Sequence, residues 1–381
     1  ENVMRSVSIN KISKKSVISR QFDWFLLILT FMLSVFGVIA IYSATRTSGT
    51  ITNVIVQSAS VVIGTAAAVV LCFFDYEQFK NLIRPVYIFA VAILILVLLI
   101  GSTGGGAKSW IRIGAVSIQS AEFAKICYTI TFSYHLAAVE DRINKPLILL
   151  GLVLHLVPIA ALIMLQPDLG SLMVFVFMFM VLLFTAKLSY KYIIPVTGLG
   201  IISIPLIYNY MLTDYQQQRI NVFLNPELEP MDGGYNVIQS KLAVGAGQIF
   251  GDGYLNGVQN QMGYLPAKST DFIFSTIAEE WGFIGAIILT AALFIVIWRC
   301  FTIARRADNS FGRYICTSVG AMFLFHTVEN IGMCIGITPV TGIPLPFITY
   351  GGSSMVTNLA AIGLVMSVEY HNKPRSAIDV Y

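Results

Sequence analysis

Ten apolar stretches follow one another along the chain, and each is long enough to cross a lipid bilayer as a helix. A transmembrane helix needs about 20 apolar residues. By that criterion we place the spans at residues 24–44, 52–74, 82–101, 121–138, 147–165, 169–187, 192–211, 276–298, 313–336 and 350–370. The longest polar stretch, residues 211–275, separates the seventh span from the eighth. The pattern predicts an all-α polytopic membrane protein of ten transmembrane helices with a large loop between helices 7 and 8.

Composition supports a membrane protein, and the basic residues predict its orientation. Only 12% of the residues are charged and 56% are hydrophobic, whereas a soluble domain carries about 25% charged residues. Of the 24 Lys and Arg residues, 17 lie on the side of the two termini and six on the other. The spans predict a multi-pass membrane protein, and the positive-inside rule predicts its orientation. Both termini are then cytoplasmic, and the long loop is extracytoplasmic.

We divide the chain into a basic cytoplasmic N-terminal arm (1–20), a membrane domain (21–371) that includes the outer loop 211–275, and a cytoplasmic tail (372–381). Within the loop, apolar residues at helical spacing predict a short helix over 235–246. A loop of this length is usually functional or disordered. Its aromatic and apolar residues favour docking on the membrane domain.

Several classes of site are excluded by the sequence. The five cysteines lie in or beside spans without CxxC spacing, so neither a disulfide framework nor a thiolate metal site is expected. The glycine-rich string 104–112 lacks the glycine that directly precedes lysine in a phosphate-binding loop, so no nucleotide is expected. The net charge of +4 follows from topology and gives no indication of nucleic acid.

Ionisable side chains at membrane depth cost about 2.5–3.5 kcal/mol on insertion scales, so they usually face a cavity or a partner. Glu122 and Lys125 lie three residues apart at the start of span 4, either as a self-satisfied ion pair or as a pair that positions an anionic substrate. His326 and Glu329 share one face of span 9. They form either a structural, hydrogen-bonded pair between helices or part of a proton or ion path.

Two further segments carry polar residues beside spans. Asp168, in the turn that starts at Gln166, is either the N-cap of span 6 or a functional residue. Asp271, Glu279 and Glu280 lie within ten residues at the start of span 8. Thr270 or Asp271 could cap that helix, but three carboxylates exceed what capping requires. Residues 339–354, rich in proline and glycine, predict a stiff, non-helical wall that lines a cavity open to the outside.

Six strings of the sequence resemble the SEDS family (shape, elongation, division and sporulation proteins), most closely its RodA-type branch. They are residues 110–114, 119–125, 166–170, 223–239, 265–280 and 339–354, in the family's order. The resemblance implies a ten-span peptidoglycan glycosyltransferase for cell elongation and shape, which lies in the bacterial cytoplasmic membrane and polymerises lipid II at the outer face of that membrane. The family's essential aspartate corresponds to Asp271, and its functionally sensitive acid and lysine correspond to Glu122 and Lys125. This chain departs from the family in Ser120-Ala121, Ser269, Thr349 and Glu329.

The resemblance also implies partners and a mechanism. The partners are lipid II, undecaprenyl pyrophosphate, a class B penicillin-binding protein and other membrane proteins of the elongation complex. Asp271 would accept the proton of the attacking sugar hydroxyl. Positive charge would stabilise the leaving pyrophosphate; Lys125 is the first candidate, and a divalent cation is another. The further candidate cations are Arg112, Arg219, Lys241 and Lys268. The candidate cavity-lining residues are Gln166, Asp168, Glu280, Ser353 and Ser354.

Two other functions remain open from the sequence. A lipid II flippase would also use ten spans and buried charges, although transport sites usually lie at mid-membrane depth. A non-catalytic scaffold would only activate the transpeptidase. Incubation of the protein with labelled lipid II separates the three functions, because only the glycosyltransferase lengthens glycan.

Overall fold

The computed structural model describes residues 22–48, 51–104, 107–113, 116–210, 212–228 and 233–372. The predicted arm 1–20 and all but the first residue of the predicted tail 372–381 lie outside the described residues.

Helices make up most of the described chain, and each predicted span coincides with one of them. The first seven helices are α1 (Trp24–Thr45), α2 (Thr52–Phe73), α3 (Ile83–Ile100), α4 (Ser120–Val139), α5 (Pro146–Leu165), α6 (Leu169–Thr185) and α7 (Tyr190–Tyr210). The remaining helices are α8 (Asp214–Leu224), α9 (Gly233–Ala246), α10 (Val258–Gln261), α11 (Ile273–Arg306), α12 (Ser310–Ile335) and α13 (Gly352–His371). The short helix predicted over 235–246 is confirmed as α9.

Six helical segments of the described chain are long and apolar enough to cross a membrane. They are Trp24–Thr45, Thr52–Phe73, Tyr76–Ile100, Pro146–Leu165, Ile273–Arg306 and Ser310–Ile335. The chain is therefore a multi-pass membrane protein. Helices α4 and α13 are more polar, and most of their residues are buried against other helices. Protein surrounds their polar side chains where lipid would otherwise be, which explains why these helices tolerate them.

Close helix packing builds the core behind the site. Helix α12 packs against α4, α6 and α11, and α2 packs along α13. Glycines make the second contact possible: a Cβ on Gly64 would lie 2.7 Å from Leu359, and one on Gly363 would lie 2.7 Å from the Cα of Ala68. Small residues at such positions let two helix backbones approach closely.

A three-stranded antiparallel sheet precedes α4, so the prediction of a purely helical chain is wrong for this segment. Its strands are β1 (Ser102–Gly104), β2 (Ala107–Ile113) and β3 (Val116–Gln119), in the order β1-β2-β3. In the register, Trp110 pairs with Ser102 on one side and with Gln119 on the other. The aromatic and β-branched residues of β2 favour a strand, but the segment is too short for a clear periodicity.

Helix α11 is interrupted at Gly282, where φ is +66°. Residues 247–253 of the long loop pack into this interruption. The carbonyls of Glu279 and Glu280 accept backbone N–H groups of residues 252 and 253 at 3.0 Å. A Cβ on Gly282 would lie 2.3 Å from the backbone nitrogen of Gly251. Backbone hydrogen bonds from the loop thus satisfy the carbonyls at the interruption, and this part of the loop docks on α11, in agreement with the predicted docking of the loop on the membrane domain.

Candidate active site

A cavity of about 550 Å³ lies where the loops before α4, α6, α11 and α13 meet helix α8. The wall predicted from residues 339–354 contributes Pro339 to Gly342 and Thr349 to Ser354 to its lining. The site residues predicted from sequence that line the cavity are Arg112, Asp168, Arg219, Asp271, Ser353 and Ser354. Loops from distant parts of the sequence therefore bring acidic, basic and hydroxyl side chains to one opening.

Asp271 lies two residues before α11, is half-buried and lines the cavity. The helix begins after Phe272, which makes no side-chain cap hydrogen bond, so the suggested capping by Thr270 or Asp271 is wrong. A turn in which the Phe272 N–H donates to the Ala267 carbonyl at 3.1 Å occupies this position instead. Burial raises the pKa of the Asp271 carboxyl, and the nearby charge of Arg219 lowers it only in part. A carboxylate with a raised pKa is a better proton acceptor.

Arg219 reaches the cavity from helix α8. Its guanidinium lies 4.6 Å from the ring centre of Tyr215 and donates to the carbonyl of Val340 at 3.1 Å. A Cβ on Gly342 would lie 3.7 Å from Asp271 Oδ2 and 3.8 Å from Arg219 Nη1. The cation and the carboxylate therefore face the same glycine, which has φ of +76° and leaves the space between them free of a side chain.

Asp168 has the capping role, which is one of the two alternatives that the sequence left open, and it also lines the cavity. It is the N-cap of α6, since its Oδ1 accepts the backbone N–H of Ser171 at 3.0 Å. Its Oδ2 accepts from the Ser171 hydroxyl at 2.8 Å and from Gln119 Nε2 at 3.1 Å, and the residue lines the cavity. The Gln119 backbone N–H in turn donates to Ser353 Oγ at 3.3 Å. The cap thus also ties the start of α4 to the start of α13.

Glu122 and Lys125 form a buried ion pair, with Lys125 Nζ 2.8 Å from Glu122 Oε1 and each side chain 2% exposed. Lys125 Nζ also donates to His326 Nε2 at 3.0 Å. Thr357 Oγ1 lies within hydrogen-bond distance of two acceptors, Glu122 Oε2 at 3.3 Å and the Ser353 carbonyl at 2.9 Å. The pair is absent from the cavity lining and lies one turn of α13 behind it.

His326 and Glu329 make separate contacts with neighbouring elements. His326 bonds to α4 through the lysine described above, whereas Glu329 Oε1 accepts from Thr341 Oγ1 in the wall loop at 3.1 Å. The two residues thus bond to different elements, a helix and a loop, and do not form the hydrogen-bonded pair between helices that one interpretation of the sequence describes.

Four other predicted residues lie outside the cavity lining. Gln166 is buried and donates to the Leu94 carbonyl at 3.1 Å. Glu280 is buried and accepts from Asn260 Nδ2 at 2.7 Å. Burial lowers the pKa of Lys268; its ammonium donates to Thr47 Oγ1 at 3.0 Å. Lys241 is exposed.

Helix α8 contributes cavity residues that the sequence analysis missed, among them Tyr215 and Gln216. Gln216 Nε2 donates to the Pro167 carbonyl at 3.2 Å, which joins α8 to the turn before α6. A sequence signal was present, because Thr213 and Gln216 form a capping box, the pattern that marks a helix start.

A divalent cation would find few ligands from the protein alone. Among the described residues, no group of three or more His, Cys, Asp or Glu side chains could hold a metal ion. A cation bound in this cavity would therefore take most of its ligands from a substrate.

Comparisons with known proteins agree on one family. Residues 23–374 match the FtsW, RodA and SpoVE family model, described as a cell cycle protein. The chain is 33% identical over 423 residues to peptidoglycan glycosyltransferase RodA of Treponema pallidum, covering 91% of this chain and 97% of the relative. It is 34% identical over 350 residues to peptidoglycan glycosyltransferase MrdB of Escherichia coli K12, covering 91% and 93%.

Two solved structures are similar over almost the whole chain. One is described as structural coordination of polymerization and crosslinking by a peptidoglycan synthase complex. It has 28% identity and a TM-score of 0.77, and the match covers 91% of this chain and 97% of that one. The other is the rod shape determining protein RodA of Thermus thermophilus, with 25% identity, a TM-score of 0.70 and coverage of 93% and 98%.

Proposed function

We propose, since the chain belongs to the FtsW, RodA and SpoVE family of cell cycle proteins, that the cavity around Asp271 is the active site of its peptidoglycan glycosyltransferase activity. The enzyme polymerises lipid II into glycan strands for cell elongation and shape. The observation that carries the site assignment is the half-buried Asp271 in the cavity lining, with a raised carboxyl pKa and Arg219 facing the same open space.

The reaction requires a sugar hydroxyl to attack an anomeric carbon while a lipid pyrophosphate leaves. Asp271 accepts the hydroxyl proton as general base. Arg112 and Arg219 line the cavity. We therefore assign to them the stabilisation of the negative charge that develops on the leaving pyrophosphate. Lys125 is buried in its pair with Glu122 and acts indirectly, by fixing the start of α13 through Thr357.

A divalent cation carried by the pyrophosphate would add positive charge at the leaving group. The phosphate oxygens would supply most of its ligands. A chelator should then lower the polymerisation rate, and added Mg²⁺ should restore it; a rate that is unchanged by chelation would exclude the cation. No nucleotide takes part in the proposal.

The proposal includes ten membrane spans with both termini cytoplasmic and the cavity on the outer face of the cytoplasmic membrane. The supporting observations are a helix at every predicted span and the bias of basic residues towards one side. All five native cysteines are buried, so single exposed cysteines can report topology. A membrane-impermeant maleimide should label Thr103→Cys on intact cells and leave Lys145→Cys unlabelled. The reverse result would overturn the orientation.

The partner in this proposal is a class B penicillin-binding protein, which cross-links the strands that this chain polymerises, together with other membrane proteins of the elongation complex. The similar synthase complex, which is described as coordinating polymerization and crosslinking, supports such a pairing. Undecaprenyl pyrophosphate is the product that leaves the cavity.

The test uses the protein reconstituted with its transpeptidase and labelled lipid II. Wild type should form glycan polymers, whereas Asp271→Asn should form none, because an amide cannot accept the proton. Asp252→Asn is a matched control, since Asp252 is an exposed aspartate of the same loop; it should polymerise normally. Near-normal polymer from Asp271→Asn would refute the assignment. Lipid transfer between leaflets without polymer would identify a flippase instead.

A further inference from the structure

Asn330 on helix α12 is fully buried and joins two separate parts of the cavity wall. Its Nδ2 donates to the backbone carbonyl of Asp271 at 3.1 Å and to that of Ile343 at 2.8 Å. Ile343 lies between Gly342 and Pro344, both of which line the cavity. One side-chain amide therefore holds the residue that carries the carboxylate and the loop that faces it.

The orientation of this amide is fixed by its partners. Both partners are backbone carbonyl oxygens, which accept hydrogen bonds and cannot donate them. The nitrogen of Asn330 must face them, since the opposite flip would point its own oxygen at two acceptors. The two carbonyls require two N–H groups on one atom of the side chain. A carboxylate, a hydroxyl or an apolar side chain of similar size cannot supply both.

The Asp271 backbone has little other support at this carbonyl. Among the described residues, the other donor to it is the Cys334 thiol, at 3.6 Å, and a thiol is a weak donor. The preceding turn has its own hydrogen bond, because the Ser269 carbonyl accepts the Tyr350 N–H at 3.0 Å. Loss of Asn330 would therefore release Asp271 more than the turn that precedes it.

We propose that Asn330 is a positioning residue for the glycosyl transfer, which sets the distance between the Asp271 carboxylate and the cavity wall at Ile343. This inference rests on the proposed function, because it gives Asp271 the role of base. Asn330 itself touches no substrate. It acts on the rate of the chemical step through Asp271, and lipid II binding relies on other residues of the lining.

The experiment compares Asn330→Leu with Ser318→Ala in the complex with the transpeptidase, at varied lipid II concentration. Ser318 is buried on the same helix and shares a hydrogen bond of 3.0 Å with Thr129 far from the cavity, so its loss controls for a broken buried contact. A misplacement of about 1 Å can cost on the order of 100-fold in rate. For Asn330→Leu we expect kcat to fall by at least about tenfold with an unchanged KM, whereas Ser318→Ala keeps the wild-type kcat.

A smaller loss of kcat, or a loss that appears only as a higher KM, overturns the proposal. If Asn330→Leu does not fold, the smaller Asn330→Ser variant, which fits the same space without a clash, is tested instead. The same fall in kcat with an unchanged KM is expected of it. Failure of both variants to fold also overturns it, because Asn330 would then be needed for the fold as a whole. The proposed function fails separately, through an active Asp271→Asn enzyme, so the two failures are distinguishable.

Discussion

The buried ion pair behind the cavity gives a stability prediction that the structure makes quantitative. Replacing Lys125 by Met leaves the Glu122 carboxylate 2% exposed with Thr357 Oγ1 as its remaining described partner, at 3.3 Å. Removal of one member of a buried pair costs about 3–5 kcal/mol, because the other charge stays buried and unpaired. We expect Lys125→Met to lower the free energy of unfolding by that amount.

Removing both charges should reverse most of this loss. Replacement of a buried pair by uncharged residues of similar volume is often neutral or stabilising. The double variant Glu122→Gln/Lys125→Met should therefore unfold at nearly the wild-type concentration of denaturing detergent. The difference between the double variant and the sum of the single variants gives the coupling energy of the pair.

The cysteines of the chain provide the assay. All five are buried in the folded protein, so a thiol-reactive dye gains fluorescence only on unfolding. Arg313→Gln is the matched control, because its pair with Glu140 is 37% and 29% exposed, and exposed pairs contribute about 0–1 kcal/mol. The reasoning is refuted if Lys125→Met destabilises the protein no more than Arg313→Gln. Wild-type polymerisation by a stable double variant would show that the pair has a structural role alone.

Three further predictions concern the interruption of α11 and the Asp271 carboxyl. Gly282→Ala should unfold the protein in the dye assay, because its Cβ would lie 2.3 Å from backbone atoms at a residue with φ of +66°. The control Gly198→Ala should have no effect, since no atom lies within 4 Å of its added Cβ. Equal effects of the two variants would contradict the reasoning. Polymerisation activity should fall as pH falls through the raised pKa of Asp271, and an acid limb at the pKa of an ordinary aspartate would contradict this. The contribution of the same carboxyl to stability should fall as pH rises through the same range. Because Arg219 lowers that pKa, Arg219→Gln should move the acid limb to higher pH, and an unmoved limb would show that the two groups do not interact.

Features that depend on local spacing could be predicted from the sequence. Hydropathy located every long helix, because a span of about 20 apolar residues is a strong signal. The spacing of Glu122 and Lys125 placed both on one face of α4, and they form a pair there. The position of Asp168 before an apolar run predicted its cap, which the structure contains.

Features that depend on which elements meet could not be predicted. Lys125 and Arg219 are both cations near a membrane boundary in the sequence, yet only Arg219 lines the cavity. The difference arises because Lys125 is enclosed among buried residues of α4, whereas one face of α8 lines the cavity. Asn330 stood in the sequence as one polar residue among several on span 9. Its two acceptors, at positions 271 and 343, are carbonyls that carry no sequence signal.

The hydrogen bonds of the carboxylates separate Asp271 from its acidic neighbours. Glu279 accepts two backbone N–H groups, Glu280 accepts a buried amide, Glu122 pairs with a buried lysine, and Asp168 accepts three donors. Lone pairs that already accept hydrogen bonds are poorly placed to take a proton from a substrate. In the part of the chain that the structure describes, no hydrogen-bond donor reaches the Asp271 carboxylate, and the positive charge that acts on its pKa is that of Arg219. Of these five acids, Asp271 therefore combines exposure to the cavity with lone pairs available to an incoming hydroxyl.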